Sequence, residues 1–503
     1  MMTSEQRRQF LKHASVLGAA GITSPWALNL ATIGAASAQS IDTTSYKALV
    51  CIFLVGGNDA HNTVLPVDDA DWLTYLTARG TAQSGSPIAL TRANLLTISH
   101  LNGRGLNTGR HFALHPQLKR FQQIYGSGKA AVIANIGPLL QPTSKSDVLN
   151  GSFPLPKNLF SHNDQQSTWQ SFSSEGAVSG WGGRIMDSLM SRNTNASFAS
   201  IGVNNGSVWL SGQQAIPYQL STGGVYDMAG NTGKTFGSAQ VYQSVRYAAL
   251  TSTRDSLLGQ AYVKVVNRAL STETALSNAL PKADRSPWGT PGTNNNTDPL
   301  LQYTSTYSGQ ATVNPLAQQL QVVARMIEAS KNSLMGANRQ VFMVTLGGFD
   351  THSNQLGTHA DLMAKLDHGI GYFYDTLNAM GAGSGVTTFT ASDFGRALNS
   401  NGDGTDHGWG AHHLVFGASV KGGDIYGTFP SFTNQESAGN YSSPNLLANG
   451  ALLPEQSVDQ LAYTLGRWMD VSDSDLTGTG GTMGIAPNIG NFDASVRNLG
   501  FMG

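Results

Sequence analysis

The chain has 503 residues, 30 basic and 31 acidic side chains, and a formal charge of −1, which excludes a basic nucleic-acid-binding face as its organising feature. Charged residues make up 12% and apolar residues 40%, enough apolar content to build a core, so a disordered chain is excluded as well. Its one cysteine, Cys51, excludes an intramolecular disulfide framework.

Residues 1–38 read as an export signal. Arg7-Arg8-Gln9-Phe10-Leu11-Lys12 resembles a twin-arginine signal, the stretch from Ala14 to Ile33 is weakly apolar, and Ala36-Ser37-Ala38 is a small-x-small cleavage pattern. The mature chain is therefore expected to start at Gln39, in the periplasm or secreted, with an amphipathic N-terminal helix as the rival reading. Gly, Ser, Thr and Pro25 make this stretch a poor permanent anchor, and no other run is long and apolar enough for a permanent membrane span. Without Arg7, Arg8, Lys12 and Glu5 the chain keeps 27 basic and 30 acidic residues, a net −3.

Lys47 to Val55 reads as a strand buried on both faces, with Cys51 packed between Val50 and Ile52 rather than catalytic. It runs into Gly56-Gly57-Asn58-Asp59-Ala60-His61-Asn62. His115-Pro116 opens a helix through about Tyr125, Lys129 to Ile136 is a strand, and Gly182 to Arg192 is helical. From about residue 200 to 310 the composition turns to Gly, Ser, Thr and Asn around one helical stretch, Leu257 to Leu280. This stretch reads as a loop-rich insertion over the active-site side of the sheet, or equally as a plain surface excursion. Pro315 to Asn338 is a helix, with Leu316, Leu320, Val323, Met326 and Ile327 at helical spacing, Asn314 as its cap and Pro315 at its first position. Strand Val341 to Leu346 follows and ends in Gly347-Gly348-Phe349-Asp350-Thr351-His352. A long helix from about His359 to Met380 leads to strand Val386 to Thr390, then Asp393 and a glycine-rich loop that carries Asp406, His407, His412 and His413. His413 to Val420 is a further strand and Ser457 to Met469 a terminal helix. Strands alternating with helices predict one α/β domain over residues 39–503, with a mostly parallel sheet and right-handed crossovers.

Three apolar strands thus each end in an Asp with a His nearby. Open α/β sheets bind ligands outside the carboxyl ends of their strands, and Asp with His is a ligand set for a divalent metal. Each residue has a structural rival: Asp59 as a turn residue, Asp350 as a helix cap, His352 as a group that orients a carboxylate. His412 and His413 alternate across a strand, so at most one faces the site. Arg396 either binds an anionic substrate oxygen or pairs with Asp393. Imidazole favours Zn, while Mn, Mg and Ca also suit carboxylates; one ion would activate a nucleophile and two would clamp both oxygens of a displacement. Gly56-Gly57-x-Asp lacks the Lys-Ser/Thr ending of a phosphate-binding loop, and no Gly-x-Ser-x-Gly elbow stands between a strand and a helix.

The segments GGNDAHNTVLP (56–66), FSHNDQQSTWQ (160–170), GWGGR (180–184), GGFDTHSNQ (347–355), SDFGR (392–396) and GTDHGWG (404–410) together resemble the bacterial domain of unknown function 1501 family, from Lys47 to the C-terminus. Members of that family often carry a twin-arginine signal and are often encoded beside another family of unknown function. The family is in turn similar to the alkaline phosphatase and sulfatase superfamily. That resemblance implies an alkaline-phosphatase-like α/β fold, with helices sandwiching the sheet, and Asp59, Asp350, His352, Asp393 and His407 as metal ligands, His412 being the alternative to His407. Phe394 stands where the superfamily carries a His. The nucleophile is expected at a helix N-terminus, with Ser161 first and Thr63 second, and His162 beside it as a ligand or acid–base group. The expected function is an exported metal-dependent hydrolase of phosphate or sulfate esters, acting on a small anionic ester or a polysaccharide. The alternative is a non-catalytic exported binding or assembly protein that keeps the fold and engages a protein or polysaccharide partner.

Overall fold

Alternation along Lys47–Val55, strand β1, decides the architecture. In this computed structural model, which describes residues 45–80, 87–224, 234–251, 256–432, 435–437, 440–479 and 483–503, both faces of β1 are buried under separate cores. Ala48, Val50, Ile52 and Leu54 point into one core, together with Phe342 and Val344 and the helical residues Leu316, Leu320, Leu366 and Ile370. Leu49, Cys51 and Phe53 point into the other, with Met343, Phe389, Trp169, Trp181, Leu461 and Leu465. A strand whose successive side chains point to opposite faces can be apolar throughout only if helices cover both faces. The expected export signal and its cleavage point lie outside the described residues. Among those described, no helix is long and apolar enough to cross a membrane.

The central sheet has nine strands. They are β1, β2 (Ala130–Gly137), β3 (Ser200–Val203), β4 (Tyr218–Leu220), β5 (Arg339–Gly347), β6 (Val386–Ser392), β9 (Ala411–Phe416), β10 (Ile425–Tyr426) and β11 (Gln456–Ser457). Strands β7 (Arg396–Ser400) and β8 (Thr405–His407) form a separate hairpin. The sheet order is β10-β2-β9-β6-β1-β5-β3-β4, with β11 also on β2. The pairs of β1 with β5 and β6, β5 with β3, β3 with β4, and β2 with β10 and β11 are all parallel, whereas β9 is antiparallel to both β6 and β2. β9 therefore runs against the other eight strands. The protein is α/β, with a mostly parallel sheet between helical layers.

The helices that matter for the site are α1 (Lys119–Gly126), α2 (His162–Ser171), α3 (Trp181–Ser188), α4 (Leu257–Ala279), α5 (Pro315–Lys331), α6 (Gln355–Ala379) and α7 (Val458–Trp468). The expected helix from His115 starts only at Lys119, because His115 and Leu118 close a turn first. Helix α5 begins as predicted, with the Asn314 side chain accepting from Leu316 N and Pro315 at its first position. It stops at Lys331 rather than Asn338, since Ser333 takes φ +62° and breaks the right-handed path. β9 likewise ends at Phe416, not Val420, because Gly417 departs from the strand. The stretch from 200 to 310 is not loop alone: β3 and β4 lie within it and extend the sheet beyond β5. Both are only three or four residues long, too short to stand out from a Gly- and Ser-rich background.

Candidate metal centre

The parallel register brings the strand ends level: Val55 pairs with Gly347, and Leu54 with Ser392. The loops after β1, β5 and β6 therefore leave the same edge of the sheet. Two glycines let them touch. A Cβ on Gly56 (φ +114°) would lie 2.4 Å from Asp350 N, and one on Gly57 (φ +87°) 2.4 Å from the Phe394 ring. No other residue type permits both that φ and that approach.

Four side chains converge there. Asp350 sits in the turn between β5 and α6, and His162 is the first residue of α2. His407 is the last residue of β8, where it pairs with Arg396 across the hairpin. One ligand atom from each of His162, Asp350 and His407 lies within 4.8 Å of the other two. The fourth side chain, His352, places Nε2 3.1 Å from Asp350 Oδ1 and 2.9 Å from His407 Nε2.

Second contacts set the tautomers. His162 Nδ1 is 2.6 Å from Oδ2 of the fully buried Asp393, which also accepts from Gln166 Nε2 at 2.8 Å. His407 Nδ1 is 2.7 Å from the Phe160 carbonyl oxygen. A carbonyl or carboxylate oxygen can only accept, so both Nδ1 atoms carry a proton, and in the neutral rings both Nε2 atoms present lone pairs to the site. Burial holds His407 below the ordinary imidazole range and keeps that lone pair available. Asp350 Oδ1 faces them, 3.6 Å from His162 Nε2 and 3.3 Å from His407 Nε2. Burial pushes the Asp350 carboxyl upward, but the Arg396 guanidinium, 2.9 Å away, outweighs it and keeps the group below the usual carboxylate range. Two imidazole Nε2 atoms and a carboxylate oxygen that converge in this way form a donor set that fits a cation. Phe394 packs against both imidazoles, with its ring centroid 4.9 Å from that of His162 and 4.5 Å from that of His407.

The remaining expected residues are placed as follows. Asp393 stands behind His162 rather than among the converging atoms, with Oδ1 accepting from Gly56 N at 3.2 Å. Asp59 is fully buried and its oxygens are taken: Arg79 binds both, at 2.5 and 2.9 Å, and Gln355 Nε2 donates to Oδ2 at 2.6 Å. It also caps the single turn Ala60–Thr63. Burial raises the Asp59 carboxyl and Arg79 more than reverses this, to about 2. Arg396 is buried with every nitrogen engaged, by Asp350, Gly56 O and Thr405, so it pairs with Asp350 and not with Asp393. Ser161 precedes His162, but its hydroxyl donates to Asp164 Oδ2 at 3.0 Å. Thr63 is buried and donates to Asp59 O. His412 and His413 point opposite ways from β9, as expected of neighbours on a strand, and both are buried. His412 accepts from Asn135 N, and His413 packs edge-on against Trp169.

Sequence reasoning missed Arg79, Gln355 and Gln166. Only Gln166 left a trace: with His162 it forms an i,i+4 pair on one helix face, and both reach Asp393 Oδ2.

The chain belongs to the family described as "Protein of unknown function (DUF1501)", whose profile matches residues 46–478. No curated protein matches the sequence. Among solved structures, the sulfatase PsFucS1 from Pseudoalteromonas sp. is similar at 9% identity and a TM-score of 0.32, covering 90% of this chain and 73% of that one. A lipoteichoic acid synthase from Listeria monocytogenes shares 8% identity with a TM-score of 0.29, over 89% and 78%. A phosphonate monoester hydrolase from Silicibacter pomeroyi shares 9% with a TM-score of 0.29, over 71% and 69%.

Proposed function

We propose that this protein is a divalent-metal-dependent hydrolase of phosphate or sulfate esters, with His162, Asp350 and His407 as the protein ligands of a single ion. One observation carries the reading: two imidazoles are locked, by Asp393 and by the Phe160 carbonyl, with their Nε2 lone pairs aimed at Asp350 Oδ1. Three protein ligands at a half-exposed position leave room for substrate, the arrangement of catalytic rather than structural sites. Two imidazole donors beside one carboxylate favour Zn, then Mn. An ion held there would polarise a phosphoryl or sulfuryl oxygen. Arg396 would fix Asp350 in place, and Asp393 would fix the His162 ring and raise its basicity. Water supports the role of nucleophile better than Ser161, whose hydroxyl is committed to Asp164.

The test is metal content by elemental mass spectrometry of the folded chain, with Asp350→Ala and His407→Ala alongside, followed by a screen of phosphate and sulfate monoesters. About one equivalent of Zn or Mn, lost in both variants, is the expected result. A chain that takes up no Zn, Mn, Mg or Ca refutes the reading.

A second reading, an exported binding or assembly protein that retains the fold, is favoured by one observation. Arg396, the guanidinium nearest the cluster, has no nitrogen left for a substrate anion. It predicts a bound ion without turnover on any ester, and co-purification of a protein or polysaccharide partner.

A further inference from the structure

The helix Ala239–Thr251 packs along α4 as a hairpin, and the two halves of α4 have opposite surroundings. In its second half Leu270, Thr272 and Leu276 are buried, and Leu276 joins the core that also contains Leu320 and Ile370. In its first half the apolar residues face outward: Leu257 is 85% exposed, Leu258 83%, Tyr262 68% and Val265 66%. At 100° per residue these four, with the exposed Ala261 and Ala269, fall within an arc of roughly 140°. Ile216, whose carbonyl accepts from Arg268, is exposed too, while Val241 and Val245 on the partner helix lie beside the second half of α4, where Arg246 binds Glu273 and Thr274. A contiguous apolar face of this kind on a folded protein marks a contact surface.

Charge selects the occupant. On the described parts of the two helices the ionisable groups of fixed sign are Arg246, Lys264, Arg268 and Glu273. Glu273 is taken by Arg246 at 2.5 Å. Lys264 and Arg268 remain along one margin of the apolar arc with no acid among the described residues of the hairpin to answer them, although the whole chain is at −1; Arg254 and Asp255, in the connection between the helices, lie outside the described residues. A symmetric contact with a second copy would bring these basic groups to one seam with no counter-charge from the described residues of either hairpin. A bilayer containing anionic lipid supplies both an apolar interior for Leu257, Leu258, Tyr262 and Val265 and phosphates for the two basic groups, whose stems can reach the headgroup level.

We propose that this hairpin docks on an anionic lipid surface, with the first half of α4 lying in the headgroup plane. The proposal is independent of the metal centre.

The experiment is co-sedimentation of the chain from Gln39 with vesicles of phosphatidylcholine alone or with added phosphatidylglycerol. Starting at Gln39 removes the apolar stretch before it and retains the residues that form both cores. Wild-type protein is expected to pellet with the anionic vesicles and to be released by salt. Leu257→Asp/Leu258→Asp is expected to weaken this by about tenfold or more, and Lys264→Glu by a smaller factor. All three positions are exposed, so the variants are expected to keep the wild-type melting curve. Failure to pellet with anionic vesicles, pelleting that both variants share equally, or a dimer in solution that Leu257→Asp/Leu258→Asp dissociates would each overturn the proposal.

Discussion

Replacing Asp393 by Asn changes one atom and tests why the metal centre is built as it is. Asp393 accepts from three donors: Gly56 N at 3.2 Å, His162 Nδ1 at 2.6 Å and Gln166 Nε2 at 2.8 Å. Asn offers one acceptor oxygen and one donor amide. If the oxygen faces His162 and Gln166, the amide opposes Gly56 N–H. If the amide faces His162, Nδ1 must give up its proton and the ring turns Nε2–H toward Asp350. The first arrangement strands a buried donor, at a cost of about 1–3 kcal/mol in stability. The second places a proton where the ion should sit. Loss of such a supporting contact typically weakens metal binding 10- to 100-fold, about 1.4–2.7 kcal/mol. The assay is competition against a chromophoric chelator for Zn, with urea unfolding of the same samples. Asp393→Asn protein that unfolds cooperatively and binds Zn within a factor of about two of wild type would refute the claim that Asp393 sets the His162 tautomer.

Acidification should expose the Asp59–Arg79 pair. With its folded pKa near 2 against an ordinary 3.8, Asp59 contributes stability that is full above pH 4 and is lost as pH falls through 2. The shift corresponds to roughly 2.5 kcal/mol, so Asp59→Asn should flatten the acid limb of a urea-stability profile by about that amount. Arg79→Met, which leaves the buried carboxylate alone, should cost about 3–5 kcal/mol at pH 7; a loss under about 1 kcal/mol would show that the pair is not the anchor of this loop. Gly57→Ala forces a Cβ to within 2.4 Å of Phe394 at φ +87°. Melting curves should show a loss of about 2–5 kcal/mol together with weaker Zn uptake, because Phe394 carries both ligand imidazoles, and unchanged uptake would separate the ring from the site. Burial pushes the Cys51 thiol up and closes it off, so a disulfide reagent should label no thiol in native protein and one in denaturant.

The central strands were legible because a strand covered on both faces is rich in apolar and β-branched residues: Ala48 to Val55 is an unbroken apolar run, Val341 to Leu346 is interrupted only by Thr345, and Val386 to Thr390 is valine, threonine and phenylalanine. The Asp and His residues at their ends were legible for the same reason: polar groups directly after an apolar run sit at the edge of the sheet. The division of labour among them was not. Asp59 and Asp350 occupy equivalent places after β1 and β5, and only the fold reveals that Arg79, twenty residues along the chain, is buried against the first and leaves the second open. Asp393 likewise looks like a ligand until α2 brings His162 in front of it. Residue type fixed the chemistry available; the packing of distant segments fixed which atom faces inward. The short strands β3 and β4 stayed hidden because three or four residues give too few alternations to separate a sheet edge from a loop.

The reversed direction of β9 has a consequence for the order in which the molecule can assemble. Every other strand sends the loop that follows it to the ligand edge, but β9 runs the opposite way and delivers the segment that precedes it, which carries His407. The hairpin of β7 and β8 ties that segment to the end of β6, and β9 then seats between β6 and β2, a pairing that joins residues near 130, 390 and 415. The three ligand atoms therefore meet after long chain segments have closed, among the later contacts to form. A cation captured at His162, Asp350 and His407 would be bound by the finished sheet and not by fragments of it, so its uptake during refolding would time the completion of the whole domain.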